Sequence, residues 1–405
     1  MLRKTLTSLL TLGMASAMPS PLNARQDSTP PEPRKLMIGA PYQILAANFT
    51  GTEFTITANH TAVGSAPSWL LFRKPGFLYA VDENGNDTSL FSLEIRNHQP
   101  DLTSSVKGSS GVVFLEFNAD QTRMIGAGYG SGKIDIWDTE EASKNLAYIK
   151  SIDIPGTPNP KQGVHHPHQA LLDPTGRFFV IPNLGGDTVL VLDTQDGQFN
   201  FSGNVTLPPG TGPRHGGFVT VNSAEDACAE PQHYYVLATE LTSQLFLFKL
   251  AYKDNSISFT QMQVLSTFGH DAPPANATSA AAGELVVAAN QRDVYVSNRI
   301  TGNTTDSIAH FVFKPNNGTG ATLDYAETIS TGGLRPRMFS LSKDPDQSLV
   351  FVANQGGDAG LAAFKRCNVS GTLNPTPVAT MPMKSLVAPE LAATEFMGPQ
   401  FVMEI

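Results

Sequence analysis

Histidines, arginines and a carboxylate fall at short motifs far apart in this 405-residue chain. The motifs are His165-His166-Pro167-His168-Gln169, Gly212-Pro213-Arg214-His215, Thr239-Glu240-Leu241, Ser297-Asn298-Arg299 and Arg335-Pro336-Arg337. Arg presents forked N–H donors that suit carboxylate and carbonyl oxygens, so several brought together would attract an anionic or oxygen-rich ligand. A Glu buried among imidazoles is a natural place for a shifted pKa and for general-base work. These residues can cooperate only if the fold brings distant stretches to one place.

An internal repeat supplies that fold. The stretch from His166 through Asp173-Pro174-Thr175-Gly176 to Gly185-Gly186-Asp187 is echoed from Pro336 through Asp344-Pro345-Asp346 to Gly356-Gly357-Asp358. Each copy is a polar residue, an apolar run, a Pro-containing turn, a second apolar run and a Gly-Gly-Asp turn. Weaker copies of the second run begin near Lys35, Phe77, Met124, Tyr234 and Val294. Most are followed by a turn and another alternating run, as in Lys133-Ile134-Asp135-Ile136-Trp137. Aromatic and β-branched residues in such runs, bounded by turn residues, predict strands. A spacing of roughly 45–60 residues suits one four-stranded blade, and seven copies predict an all-β, seven-bladed β-propeller in a single domain over 34–405. The apolar segment Phe396 to Ile405 is expected to help close the ring with N-terminal chain.

Blade geometry then says where the polar residues go. In an antiparallel blade, the residue before the innermost strand and the residue after the second strand lie at the same end. His165, His166, His168, Arg214, His215 and Arg337 precede first strands; Glu83, Asn183, Glu240, Asn298, Arg299, Asn354 and Gln355 follow second strands. All are predicted to ring one mouth. The asparagines at 183, 298 and 354 suit the turn after strand two.

On these motifs the chain resembles the seven-bladed propeller lactonase family, which includes bacterial-type 6-phosphogluconolactonase and carboxy-cis,cis-muconate cyclase. The resemblance runs from about Leu36 to the C-terminus and is strongest from His165 to Lys365. It implies His168, Arg214, Glu240 and Arg299 as catalytic residues, each falling on the matching family motif. A lactone is a cyclic ester, so opening it needs an activated water and stabilisation of a developing oxyanion. Glu240, or alternatively His168, is expected to take the proton from water, with Arg214 and Arg299 on the carbonyl. His166, His215, Arg337, Asn354 and Gln355 are expected to bind substrate, a small lactone or sugar acid. No metal or cofactor is required. The chain departs from the family at Met338, where His is usual, and in the longer turn Ile300-Thr301-Gly302-Asn303-Thr304-Thr305. Two other readings stay open: a cyclase or isomerase that forms a lactone from an unsaturated dicarboxylate, and a non-catalytic propeller that binds sugar or protein.

Composition narrows the setting. Arg3-Lys4, the apolar run Leu6–Met14 and Ala15-Ser16-Ala17 read as a signal peptide over 1–17, followed by a Pro-rich extension over 18–33. Sequons at Asn48, Asn59, Asn86, Asn200, Asn204, Asn276, Asn303, Asn317 and Asn368 suggest a glycosylated, secreted, extracellular protein. Such a relative would meet sugar lactones released outside the cell. Cys228 and Cys367 are the two cysteines, and sequence leaves open whether they are bridged. A net charge of −9 argues against nucleic acid, and no basic cluster points to a membrane. Gly126-Ala127-Gly128-Tyr129-Gly130-Ser131-Gly132-Lys133 lacks the spacing of a phosphate loop and reads as a hairpin. No Gly-x-Ser-x-Gly elbow is present, which disfavours a serine hydrolase. Within His165-His166-x-His168, side chains alternate along an extended chain, so at most two could share a metal.

Overall fold

The computed structural model describes residues 32–93, 97–141, 146–222, 228–253, 255–316 and 320–405. Pro33–Ile405 forms one compact unit. It contains seven four-stranded antiparallel sheets, and these are the blades that the repeat predicts. From the innermost strand outward, blade 2 is Leu70–Arg73, Phe77–Val81, Asp87–Leu93 and Pro100–Lys107, and blade 3 is Val112–Phe117, Arg123–Gly128, Lys133–Asp138 and Ala147–Asp153. Blade 4 begins with the short strand Leu171–Leu172, continues with Phe178–Asn183 and Thr188–Asp193, and ends at Asn200–Thr206. Blades 5, 6 and 7 have inner strands Pro213–Val221, Ala281–Val287 and Leu334–Leu341, paired with second strands Gln232–Thr239, Asp293–Arg299 and Leu349–Gly356.

Blade 1 closes the ring. Its innermost strand is the C-terminal Phe401–Glu404, paired antiparallel with Arg34–Ala40 from the start of the domain. Ile38 lies opposite Val402, and both are fully buried. The Arg34 guanidinium reinforces the seam, 3.1 Å from Glu404 Oε1 and 3.1 Å from Asp344 Oδ2 of blade 7. Closure of this kind leaves no long bare sheet edge.

Second strands are apolar on both faces because each blade packs between two others. Phe178–Asn183 and Asp293–Arg299 are buried at every position. Outer strands alternate instead, as in Asn200–Thr206, where one face meets solvent. The inner strands carry the feature that matters for chemistry. Pairing with the second strand slips by one residue at Val112/Phe114, Pro213/His215, Ala282/Leu285 and Pro336/Met338. A β-bulge leaves one residue unpaired and re-aims its side chain. The residues at these slips include Arg214, Glu284 and Arg337.

Of the predicted sequons, Asn59, Asn200, Asn204, Asn276, Asn303 and Asn368 are exposed, and Asn48 and Asn86 are half-buried. Asn317 lies outside the described residues, as do the predicted signal peptide and nearly all of the extension. Cys228 and Cys367 are both exposed and are not bonded to each other. No helix among the described residues is long and apolar enough to cross a membrane.

Candidate active site

Two clusters of charge meet around the axis. In the first, Arg214 Nε donates to Glu240 Oε2 at 2.8 Å, and Arg299 Nη2 lies 3.2 Å from the same oxygen. Arg214 comes from the bulge of blade 5, Glu240 follows that blade's second strand, and Arg299 ends the second strand of blade 6. In the second, Arg337 Nη2 lies 2.7 Å from Glu83 Oε2, joining blade 7 to the turn after the second strand of blade 2. Arg214 is almost fully buried, at 2% exposure, yet its Nη1 has no partner, and neither has Nε of the buried Arg299. Buried N–H groups without an acceptor are costly, and both are free to donate to a further oxygen.

Beneath the arginines run two histidines and a glutamate. His168 Nδ1 is 3.0 Å from His215 Nε2, and His215 Nδ1 is 2.8 Å from Glu284 Oε1. The three residues come from blades 4, 5 and 6 and are all buried. Tyr129 lies beside them. Its ring stacks on His166 with centroids 4.3 Å apart and meets His168 edge-on at 5.4 Å. His166 Nδ1 donates to the Tyr129 carbonyl at 2.7 Å. The floor is Trp69, whose ring contacts Phe114, Phe401 and His215 from three other inner strands, with its indole N–H on Leu115 O at 3.1 Å. Trp69 thus packs across the ring rather than within one blade.

Burial and the neighbouring charges set the protonation states. Burial pushes the His168 imidazole well below its ordinary value, and Arg214, His215 and Arg337 push it the same way. His215 is lowered by burial, against the opposing pull of Glu284. Burial alone would raise the Glu240 carboxyl, but Arg299, Arg214 and Arg337 outweigh it and hold it below the ordinary value. Burial, with Arg299 next, brings Arg214 down to about 10, so it remains a cation at neutral pH. The Tyr129 phenol is raised, first by burial and then by Glu240.

The structure brings His168, Arg214, Glu240 and Arg299 into one site and adds Arg337 to its electrostatics. Three of the residues expected to bind substrate have other surroundings in the structure. His215 is buried at 2% exposure, and both of its ring nitrogens are engaged, Nε2 with His168 and Nδ1 with Glu284. Asn354 is fully buried, and its amide donates to Thr331 O at 3.3 Å and Ala359 O at 2.9 Å, which fixes the turn after strand two. Gln355 lines a different cavity of about 480 Å³, shaped by Leu334, Met383, Phe396 and Met397. The three histidines at 165, 166 and 168 also part company: His165 pairs with the Asn183 amide, His166 with Tyr129 and His168 with His215. Among the described residues no group of three His, Cys, Asp or Glu is arranged to hold a metal. Tyr129 and Glu284 are new members of the site. Tyr129 follows the second strand of blade 3, so the position rule that found Glu240 finds it too. The signal for Glu284 is a lone carboxylate inside the apolar strand Ala281–Val287.

A lactonase, seven-bladed β-propeller family model matches residues 35–388, most of the chain and every blade. The chain belongs to the seven-bladed β-propeller lactonase family. Over 257 residues it is 33% identical to a probable 6-phosphogluconolactonase of Arthroderma benhamiae, covering 62% of this chain and 61% of that one. That alignment spans less than two thirds of the Arthroderma protein. The 6-phosphogluconolactonase of Bacillus subtilis is 28% identical over 313 residues, or 73% of this chain and 82% of its own. Among solved structures, the periplasmic gluconolactonase of Pseudomonas aeruginosa superposes with a TM-score of 0.71 at 22% identity, over 92% of this chain and 99% of that one. At that identity the likeness shows the fold alone.

Proposed function

We propose that this propeller hydrolyses lactones, with sugar lactones as the substrate class. The observation that carries the reading is a pair of unpartnered guanidinium N–H groups, Arg214 Nη1 and Arg299 Nε, beside an imidazole kept neutral by burial. His168 takes a proton from water as the water oxygen attacks the lactone carbonyl carbon. The carbonyl oxygen becomes an oxyanion between Arg214 and Arg299, where preorganised donors count most. When the ring C–O bond breaks, the proton on His168 passes to the departing ring oxygen. One water is consumed, one hydroxy acid is formed, and no co-reactant is needed.

The geometry favours His168 over Glu240 as the base. Glu240 is clasped by two guanidinium groups that stabilise its ionised form, and a carboxylate so held is a weak proton acceptor. Its part is to fix both arginines in position. Arg337, tied to Glu83 across the mouth, would contact substrate hydroxyl or acid oxygens.

The exposed sequons support secretion, together with the predicted leader. Expression in a glycosylating host, followed by glycosidase treatment, should lower the apparent mass of the secreted protein.

A pH-stat assay with glucono- and galactonolactone tests the activity, since opening releases acid. Absorbance loss with a carboxymuconate substrate would instead favour the cyclase reading, which the arginine cluster also suits. Saturable sugar binding without turnover would favour the non-catalytic one.

A further inference from the structure

We propose that Glu284 and His215 form a relay that fixes the tautomer of His168, leaving its Nε2 lone pair free to accept a proton. The inference rests on the lactonase reading above and adds two positioning residues to it. As a carboxylate, Glu284 can only accept through Oε1, so the 2.8 Å contact then places the His215 hydrogen on Nδ1. A neutral His215 then has a bare Nε2, and the 3.0 Å contact to His168 Nδ1 requires the hydrogen to sit on His168. His168 Nε2 is left unprotonated, and it makes no hydrogen bond among the described residues. Two hydrogen bonds in series thus carry the acceptor character of a carboxylate from blade 6 through blade 5 to the base in blade 4.

Packing argues that this arrangement is not there for stability. Glu284 is buried with Oε2 unpartnered, a state that an apolar residue of similar volume would avoid. Two further contacts hold it in place: Leu285 N–H donates to Oε1 at 3.1 Å and Glu284 N–H donates to Ser297 Oγ at 2.9 Å. His215 is caged by Trp69 and Phe114, whose rings meet it edge-on at 5.7 Å. Both imidazoles are therefore held in one orientation, and the relay needs no motion to act.

When His168 accepts a proton from water, the positive charge does not stay on one buried ring. His168 Nδ1–H strengthens its bond to His215, and His215 Nδ1–H strengthens its bond to Glu284. Each donor shares charge with the next acceptor, and the carboxylate sits at the far end.

Two measurements test this. In wild-type protein labelled with 15N-histidine, with His168 assigned by the signal lost in His168→Gln, the imidazole should show Nδ1–H and a bare Nε2 at neutral pH. In Glu284→Gln the amide can donate to His215 Nδ1, which reverses both hydrogen bonds and places the hydrogen on His168 Nε2. The expected result is a kcat for gluconolactone lowered by ~10²–10⁴, with KM within about threefold of wild type. Glu284→Asp should regain part of the lost kcat, which a merely structural role would not give. A wild-type His168 with Nε2–H overturns the proposal even if every variant misfolds. A folded Glu284→Gln with wild-type kcat and an unchanged His168 spectrum overturns it as well. If the wild-type enzyme opens no lactone, the functional reading fails on its own and the spectrum still decides the relay.

Discussion

Arg337 and Glu83 meet at 2.7 Å although they belong to blades 7 and 2, the two neighbours of the blade that closes the ring. The pair therefore spans the seam on the mouth side, while Arg34 with Glu404 and Asp344 ties it elsewhere. Both members keep some solvent contact, at 15% and 27% side-chain exposure, so their coupling is moderated by water. A double-mutant cycle with Arg337→Ala and Glu83→Ala should give a coupling of about 1 kcal/mol in unfolding free energy. Arg337→Ala alone should raise KM for an aldonolactone about tenfold with little change in kcat, because the proposed role of the residue is to hold substrate oxygens away from the reacting carbon. Steady-state kinetics check this, and a fall confined to kcat would contradict it.

The Arg214–Glu240–Arg299 cluster yields a different signature. Arg214→Ala removes the proposed oxyanion donor and should lower kcat by ~10²–10³. Glu240→Gln loosens both guanidinium groups and should lower kcat by a similar factor. The two losses should not add in the double variant, since each breaks the same unit. A loss below threefold in either single variant would remove the cluster from the mechanism.

Much of this site is legible in the sequence. A rule about strand ends places His168, Arg214, Glu240, Arg299 and Arg337 at one mouth, and the repeat predicts seven blades. Asn354 and Gln355 obey the same rule yet point elsewhere, because position at a strand end does not fix side-chain direction. Asn354 is drawn into its own turn by backbone carbonyls, and Gln355 faces the C-terminal segment. Glu284 escaped because it sits within a strand, at a register slip that alternation cannot foresee. Trp69 is half-buried just before the inner strand of blade 2, and its ring reaches Phe114, His215 and Phe401 of three other blades, contacts that no local sequence pattern specifies.

Gly283, beside Glu284, is required by close approach. A Cβ there would lie 2.4 Å from Ser297 Oγ, 3.0 Å from Pro336 O and 3.1 Å from Arg299 Cδ. Ser297 Oγ is also the acceptor for the Glu284 amide. Gly283→Ala should therefore destabilise the fold by about 1–3 kcal/mol and lower kcat more than tenfold, through displacement of Arg299 and Glu284 together. Denaturant unfolding and kinetics on the same preparation check both parts.

Acid should affect activity and stability through the same histidines. Both His168 and His215 are lowered from an ordinary value of 6.5 by burial. The folded protein keeps them neutral where the unfolded chain binds protons, so unfolding takes up protons below about pH 6.5. Stability should fall as pH drops from that point, by up to about 1.4 kcal/mol per pH unit for each histidine, until the folded values are reached. The acid limb of kcat/KM, which reports the free enzyme, should lie below pH 6.5 because the base is neutral there. Thermal melts and pH–rate profiles test the two halves. An acid limb above 6.5 would exclude His168 as the base.

A second buried charge network, away from the mouth residues, offers a control that separates stability from catalysis. Asp293 is fully buried and receives Arg366 Nη2 at 2.5 Å, Arg292 Nε at 3.0 Å and His310 Nε2 at 3.2 Å. Burial would raise its carboxyl, but the hydrogen bonds from His310 and Arg292 hold it far below the ordinary range. A carboxylate so depressed contributes stability above the unfolded value near 4, and that contribution is lost as pH falls through the folded one. Asp293→Ala leaves Arg366, itself 2% exposed, without its counter-charge and should cost about 3–5 kcal/mol. Pairing it with Arg366→Met removes the stranded cation and should recover a substantial part of the loss. In both variants kcat for the fraction that remains folded should match wild type, since neither residue touches the arginine cluster or the His168 relay. Chemical denaturation with parallel activity measurements decides the point, and a selective loss of kcat at full folding would tie this network to the chemistry.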